Sequence, residues 1–178
     1  MAHAGPDHHH HHDEHHHHHG PAESAVGCWV VTCSDTRTAA TDEGGPLAKR
    51  LLMEAGHTFL GSELVKDDGS AILHALEHAL AHGARCVIFT GGTGLTRRDV
   101  TVESLEAKFE KRVDGFGELF RALSFQQVGS AAWLSRATAG VVQGALVFVL
   151  PGSPKAVELA MTRLILPELD HAVREVLR

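Results

Sequence analysis

The stretch Ala84–Thr90 (ARCVIFT) constrains this chain most: it is an almost unbroken apolar run that stops abruptly at Gly91-Gly92. A strand that is apolar on both faces must be covered on both faces, the situation of a central strand in a parallel sheet flanked by helices. Strand-like and helix-like patterns alternate around it. Gly27–Thr32 (GCWVVT) suits a second buried strand and Thr58–Val65 a third. Between them, Pro46–Ala55 has helical spacing, with Leu47, Leu51 and Leu52 on one side and Gly56 as a stop. Ser70–His82 is the clearest amphipathic helix, with an apolar stripe of Ile72, Leu73, Leu76, Ala79 and Leu80. Asp67, Asp68 and Ser70 are its N-cap candidates, and Gly83 follows it. Further helices are expected over Thr101–Arg112 and Gly117–Gln127. Thr138–Val142 and Ala145–Leu150 flank Gln143-Gly144 as a tight hairpin, and a last helix runs from Pro154 to Leu177, kinked at Pro167. The expected fold is α/β: a three-layer α/β/α domain, mostly parallel, with an antiparallel hairpin near one edge.

The 178 residues suit one well-buried domain, expected over residues 25–178. The preceding residues 1–24 are compositionally separate, with five-histidine runs at His8–His12 and His15–His19 split by Asp13-Glu14. Such a segment cannot bury enough apolar surface to fold alone and is expected to be disordered. Two readings of it stay open: a tag-like extension, or a native tail that sequesters nickel or zinc, which the Asp-Glu break favours.

The net charge is −6 with histidines neutral, and beyond Arg97-Arg98 no basic cluster is interleaved with stacking aromatics, so nucleic acid is not an expected partner. No apolar run approaches the roughly 20 residues needed to span a bilayer. The segment after Met1 lacks the apolar core of a secretory signal, and the chain is read as cytoplasmic. Cys28, Cys33 and Cys86 have no metal-ligand spacing and read as small buried hydrophobes, Cys28 and Cys33 on opposite faces of their strand.

The chemistry-bearing segments follow the strands. Phe89–Glu103 (FTGGTGLTRRDVTVE) runs from the central strand into Gly91-Gly92-Thr93-Gly94 and on to Asp99, Thr101 and Glu103. Glycines at a strand's carboxyl end let backbone N–H groups approach a phosphate, and open α/β sheets bind ligands there. The alternative is a tight strand-to-helix turn; neither the P-loop nor the Rossmann spacing is present. A carboxylate beside such a loop repels an anionic ligand unless it holds a cation, so Asp99, with Asp67 after another strand, points to Mg²⁺ and nucleotidyl transfer. Asp67 also suits a helix cap. Ser34-Asp35-Thr36-Arg37 follows the first strand, and Pro151-Gly152-Ser153-Pro154-Lys155 the last. Lys155 in a helix's first turn opposes the macrodipole, which fits an anionic ligand or a solvated lysine. His74, His78 and His82 recur at every fourth position; such spacing can hold zinc, but with no carboxylate beside them a solvated face is the reading.

The segment GGTGLTRRDVTVE (Gly91–Glu103) resembles the glycine-rich signature of the MoaB/Mog family of molybdenum-cofactor biosynthesis proteins. The similarity continues through Val113–Val141, Leu150–Ala156, Ser34–Arg37, Asp42–Pro46 and Val65–Ile72, in the family's order. The resemblance implies a three-layer α/β fold, a homo-oligomer (trimer or hexamer), and MgATP-dependent adenylylation of molybdopterin with release of pyrophosphate. It makes Asp67 and Asp99 the catalytic carboxylates and Mg²⁺ ligands. It also implies binding roles for Ser34, Asp35, Thr36, Gly91, Gly92, Thr93, Gly94, Thr101 and Glu103. Gly115, Phe116, Gly117, Glu118, Ser135, Pro151, Gly152, Ser153 and Lys155 match its other pocket-facing segments. One departure is Asp42-Glu43-Gly44-Gly45, where the family pattern carries a Ser or Thr hydroxyl in place of Gly44. The branch that this chain resembles also contains members that bind and deliver molybdopterin without adenylylating it.

Overall fold

The computed structural model describes residues 24–178; the histidine runs and the nickel or zinc binding expected of them lie outside the described residues. Six strands form one sheet. In chain order they are β1 (Gly27–Cys33), β2 (Thr58–Val65), β3 (Cys86–Thr90), β4 (Lys111–Arg112), β5 (Thr138–Val142) and β6 (Ala145–Leu150), and across the sheet they run β2-β1-β3-β6-β5-β4. β2, β1, β3 and β6 are mutually parallel; β5 runs antiparallel to β6 and β4 to β5. The α/β expectation with its antiparallel hairpin is met, and β3 is buried along its whole length.

Alternation along the strands divides the core in two. Cys28, Val30, Cys86, Ile88, Phe148 and Leu150 face one side, with Leu52 of helix α1 (Gly44–Glu54) and the apolar residues of the C-terminal helices. Trp29, Val31, Cys33, Val87, Phe89 and Val149 face the other, against Ile72, Leu76 and Ala79 of α2 (Gly69–Ala81) and Leu105 of α3 (Thr101–Glu106). Cys28 and Cys33 do lie on opposite faces, and all three cysteines are free and buried. The hairpin turns through Gln143 (φ 49°) and Gly144 (φ 74°), two consecutive left-handed residues whose twist matches that of the flanking strands.

Residues 107–112 correct the expected helix. It stops at Glu106, and Lys111–Arg112 becomes the edge strand β4, with Glu110 N donating to Val141 O (2.9 Å) and Val113 N to Ala139 O (2.8 Å). Phe109 packs over Gly140, where no side chain stands in its way, and that non-local contact outweighs the helical propensity of the segment. Helix α4 (Asp114–Val128) follows, then a 3₁₀ turn (Gly129–Leu134). The last helix is interrupted as expected, but by a π turn at Met161–Ile165 that joins α5 (Pro154–Ala160) to α6 (Leu166–Val176). The break precedes Pro167, whose ring removes an N–H and crowds the preceding turn.

Candidate active site

The register brings four strand ends together: Cys33 pairs with Val65, Thr32 with Thr90, and Thr90 with Leu150. The loops that leave them line one cleft of about 460 Å³, which contains Ser34, Asp35, Thr36, Asp67, Gly91, Gly92, Thr93, Gly94, Asp99, Gly152 and Ser153 from the sequence expectation. Arg37 and Arg98 line it as well.

The glycine-rich loop is shaped by contact. Gly91 (φ 97°) and Gly92 (φ 61°) are left-handed, which an L side chain rarely tolerates. A Cβ on Gly91 would overlap the carbonyl of Cys33, and one on Gly92 would overlap Thr101 Oγ1 and Asp67 Oδ1. Thr101, fully buried, donates its hydroxyl to Asp67 Oδ1 (3.2 Å), and its N–H reaches Gly92 O (3.3 Å). One threonine therefore joins the loop, α3 and the Asp67 carboxylate.

The cap ambiguity at α2 resolves in favour of Asp68, whose Oδ1 accepts from Ala71 N (3.0 Å). Asp67 is left to face the cleft, where its backbone N–H donates to Asp35 Oδ1 (3.3 Å). Burial raises the Asp67 pKa above the usual carboxylate range; Asp99 and Asp35 add to this, against opposing hydrogen bonds from Thr101 and Val100. Asp99 shifts the other way. The Thr96 hydroxyl (2.6 Å) lowers its pKa most, helped by the amides of Thr96 and Gly94 and by Arg136, against a burial effect. Burial pushes the Cys33 thiol up to about 12, so it is an inert wall beneath the loop rather than a nucleophile.

The donor set suits Mg²⁺: Asp67 and Asp99 offer hard carboxylate oxygens that line the same cleft as the glycine-rich loop. No cluster of three or more His, Cys, Asp or Glu capable of holding a metal by itself occurs among the described residues.

The remaining expected residues divide between two neighbouring clefts. Glu103, Gly117, Glu118 and Ser135 line one of about 560 Å³; Ser135, Pro151, Ser153 and Lys155 line another of about 760 Å³. Lys155 thus stands outside the glycine-rich cleft, while Ser153 borders both and caps α5 by accepting from Ala156 N (3.3 Å). Gly115 lines none of the three. Phe116 lines none of them either: it is buried in the core, its ring 5.2 Å from that of Phe148 and 6.4 Å from that of Phe120, because the first turn of α4 points it onto the sheet.

The residue that sequence reasoning missed is Arg136. Its Nε donates to Thr93 O (3.2 Å), its Nη2 to Asp99 O (3.1 Å), and its Nη1 to Glu103 Oε1. A single arginine next to Ser135 carries no charge-cluster signal; only the fold shows that it closes the loop. Asp42 is similarly structural: it accepts from Thr32 Oγ1 (2.7 Å) and Gly45 N (3.3 Å), fixing the start of α1 beside the cleft.

Comparison with known proteins identifies the family to which this fold belongs. Residues 29–171 match the family model described as "Probable molybdopterin binding domain". The chain is 48% identical over 157 residues to molybdenum cofactor biosynthesis protein B of Bacillus subtilis, covering 87% of this chain and 92% of the relative. A solved structure of the tungsten cofactor synthesizing protein MoaB from Pyrococcus furiosus superposes with TM-score 0.81 at 38% identity, covering 88% of this chain and all (100%) of that one. A MogA structure superposes with TM-score 0.76 at 29% identity, over 84% and 99% of the respective chains. With the fold and most of the chain shared, this protein belongs to the MoaB/Mog family of molybdenum cofactor biosynthesis proteins.

Proposed function

We propose that this chain is a molybdopterin adenylyltransferase, which uses MgATP to place AMP on the terminal phosphate of molybdopterin. Family membership and the relatives' names support the broader role, in molybdenum cofactor biosynthesis. The observation that carries the narrower one is the convergence of Asp67 and Asp99 on the Gly91–Gly94 loop at the carboxyl ends of parallel strands. In the reaction a pterin phosphate oxygen attacks the ATP α-phosphorus, the bond to the β-phosphate oxygen breaks, and pyrophosphate leaves. No protein nucleophile is required. The loop amides orient the phosphates, and Arg37 and Arg98 balance their charge. Asp67 and Asp99 would hold Mg²⁺, which would neutralise charge developing on the phosphates.

A second reading, pterin binding and delivery without adenylylation, draws on Gly44. A Cβ there would stand 3.2 Å from Gly152 O, so two bare backbones meet where the family pattern has a hydroxyl. The test is incubation with molybdopterin and MgATP, assaying adenylylated pterin and pyrophosphate. Both products, lost in Asp99→Ala with pterin binding retained, support the transferase; binding with neither product supports delivery.

The reading includes a homo-oligomer, trimer or hexamer. Leu119, Phe125 and Val128 of α4 and Trp133 and Leu134 of the 3₁₀ turn are exposed large apolar side chains close together in sequence, Trp133 at 73% and Phe125 at 61%. Apolar surface of this kind favours association with another chain.

A further inference from the structure

We propose that helix α2 carries a second site, for a borderline divalent transition-metal ion chelated by His78 and His82. The two rings stand one helical turn apart with centroids 4.3 Å from one another, edge to face. Their Nδ1 atoms are already committed. His78 Nδ1 meets Glu63 Oε1 at 2.8 Å and His82 Nδ1 meets the carbonyl oxygen of His78 at 2.8 Å. Carboxylate and carbonyl oxygens only accept, so both Nδ1 atoms are the donors, and each neutral ring keeps its lone pair on Nε2. That is the arrangement in which a ligating histidine is oriented and made more basic by an acceptor behind it.

The carboxylate that the sequence did not reveal comes from β2, which the fold lays beside α2. The site would be a two-histidine chelate through the free Nε2 atoms, with water in the remaining positions. His74 stacks on His78 at 6.5 Å and extends the imidazole face by a further turn. Imidazole ligands select zinc, nickel or copper over Mg²⁺, so this locus is chemically separate from the carboxylate cleft. Beneath it lies Trp29, nearly buried, with its ring 5.2 Å from His78 and 5.3 Å from His82. Covering Trp29 explains why flat rings sit here; it does not explain why both Nδ1 protons are engaged.

Trp29 supplies the measurement. In the full chain carrying Trp133→Phe, Trp29 is the single tryptophan. Titration with Cu²⁺, a paramagnetic quencher, should give saturable loss of its emission. His78→Gln and His82→Gln should each abolish that saturable phase. Glu63→Gln should retain it with affinity about 10–100-fold weaker. The N-terminal histidines are common to all variants and cancel in the comparison. Absence of quenching in the parent, or full quenching in both histidine variants, overturns the site. If circular dichroism shows that the histidine variants fail to fold, Glu63→Gln decides, and unchanged affinity there overturns it.

Discussion

Arg136 Nη2 donates to the carbonyl oxygen of Asp99 at 3.1 Å, and so a residue from the entry to β5 holds the backbone that carries the second cleft carboxylate. The same guanidinium reaches Thr93 and Glu103. It spans the loop from its glycine end to α3, and the loop's shape depends on a side chain remote from it in sequence.

Arg136→Lys is expected to keep a cation but lose the planar fork that reaches three acceptors. Adenylyl transfer should fall chiefly in kcat, since the loop would no longer be held in its reactive shape. Each hydrogen bond to a charged group contributes about 1.5–3 kcal/mol, so a clear drop in denaturation midpoint should accompany it. Activity and midpoint both at the parent's level would remove Arg136 from the site.

Asp67→Asn should abolish transfer while leaving the fold intact. It should also change the pH dependence of stability in a defined direction. The folded pKa of Asp67 lies above its unfolded value, so the native state holds the proton more tightly than the unfolded chain. Stability from this group is therefore greatest at low pH and declines as pH rises through the folded pKa. The neutral amide of the variant undergoes no such loss, and the variant should match or exceed the parent's melting temperature at neutral pH. That advantage should shrink on acidification below the unfolded value. A variant that gained relative stability in acid would contradict the assignment.

Phe116→Ala tests the separation of core from cleft. Truncating a buried phenylalanine costs about 3–5 kcal/mol. Chemical denaturation should show a loss of this size, with pterin affinity unchanged in the folded fraction. A selective fall in affinity without loss of stability would return Phe116 to the pocket.

For the apolar surface on α4 and the 3₁₀ turn, sedimentation velocity should find an oligomer. The double variant Phe125→Glu/Trp133→Glu should shift it to smaller species, because burying unpaired carboxylates in an interface is costly. A parent that sediments as a monomer would sink the oligomer proposal.

Much of this molecule was legible from local pattern. The unbroken run at Ala84–Thr90 announced a central parallel strand, β2 and the β5–β6 hairpin coincide with the expected segments, and Gly91–Gly94 marked the cleft. Alternation and turn chemistry act over a few residues, and so a sequence displays them directly. What escaped was decided by partners distant in the chain. Phe109 and the β5 edge converted a helical segment into β4, and packing against Phe148 drew Phe116 into the core. The fold brought Arg136 to Asp99 and Glu63 to His78. By itself the sequence determined which residues could build strands, turns and a glycine-rich loop at the strand ends. Only the tertiary structure decided which carboxylate capped a helix and which faced the cleft, because that choice depends on burial and hydrogen-bond partners supplied by other elements.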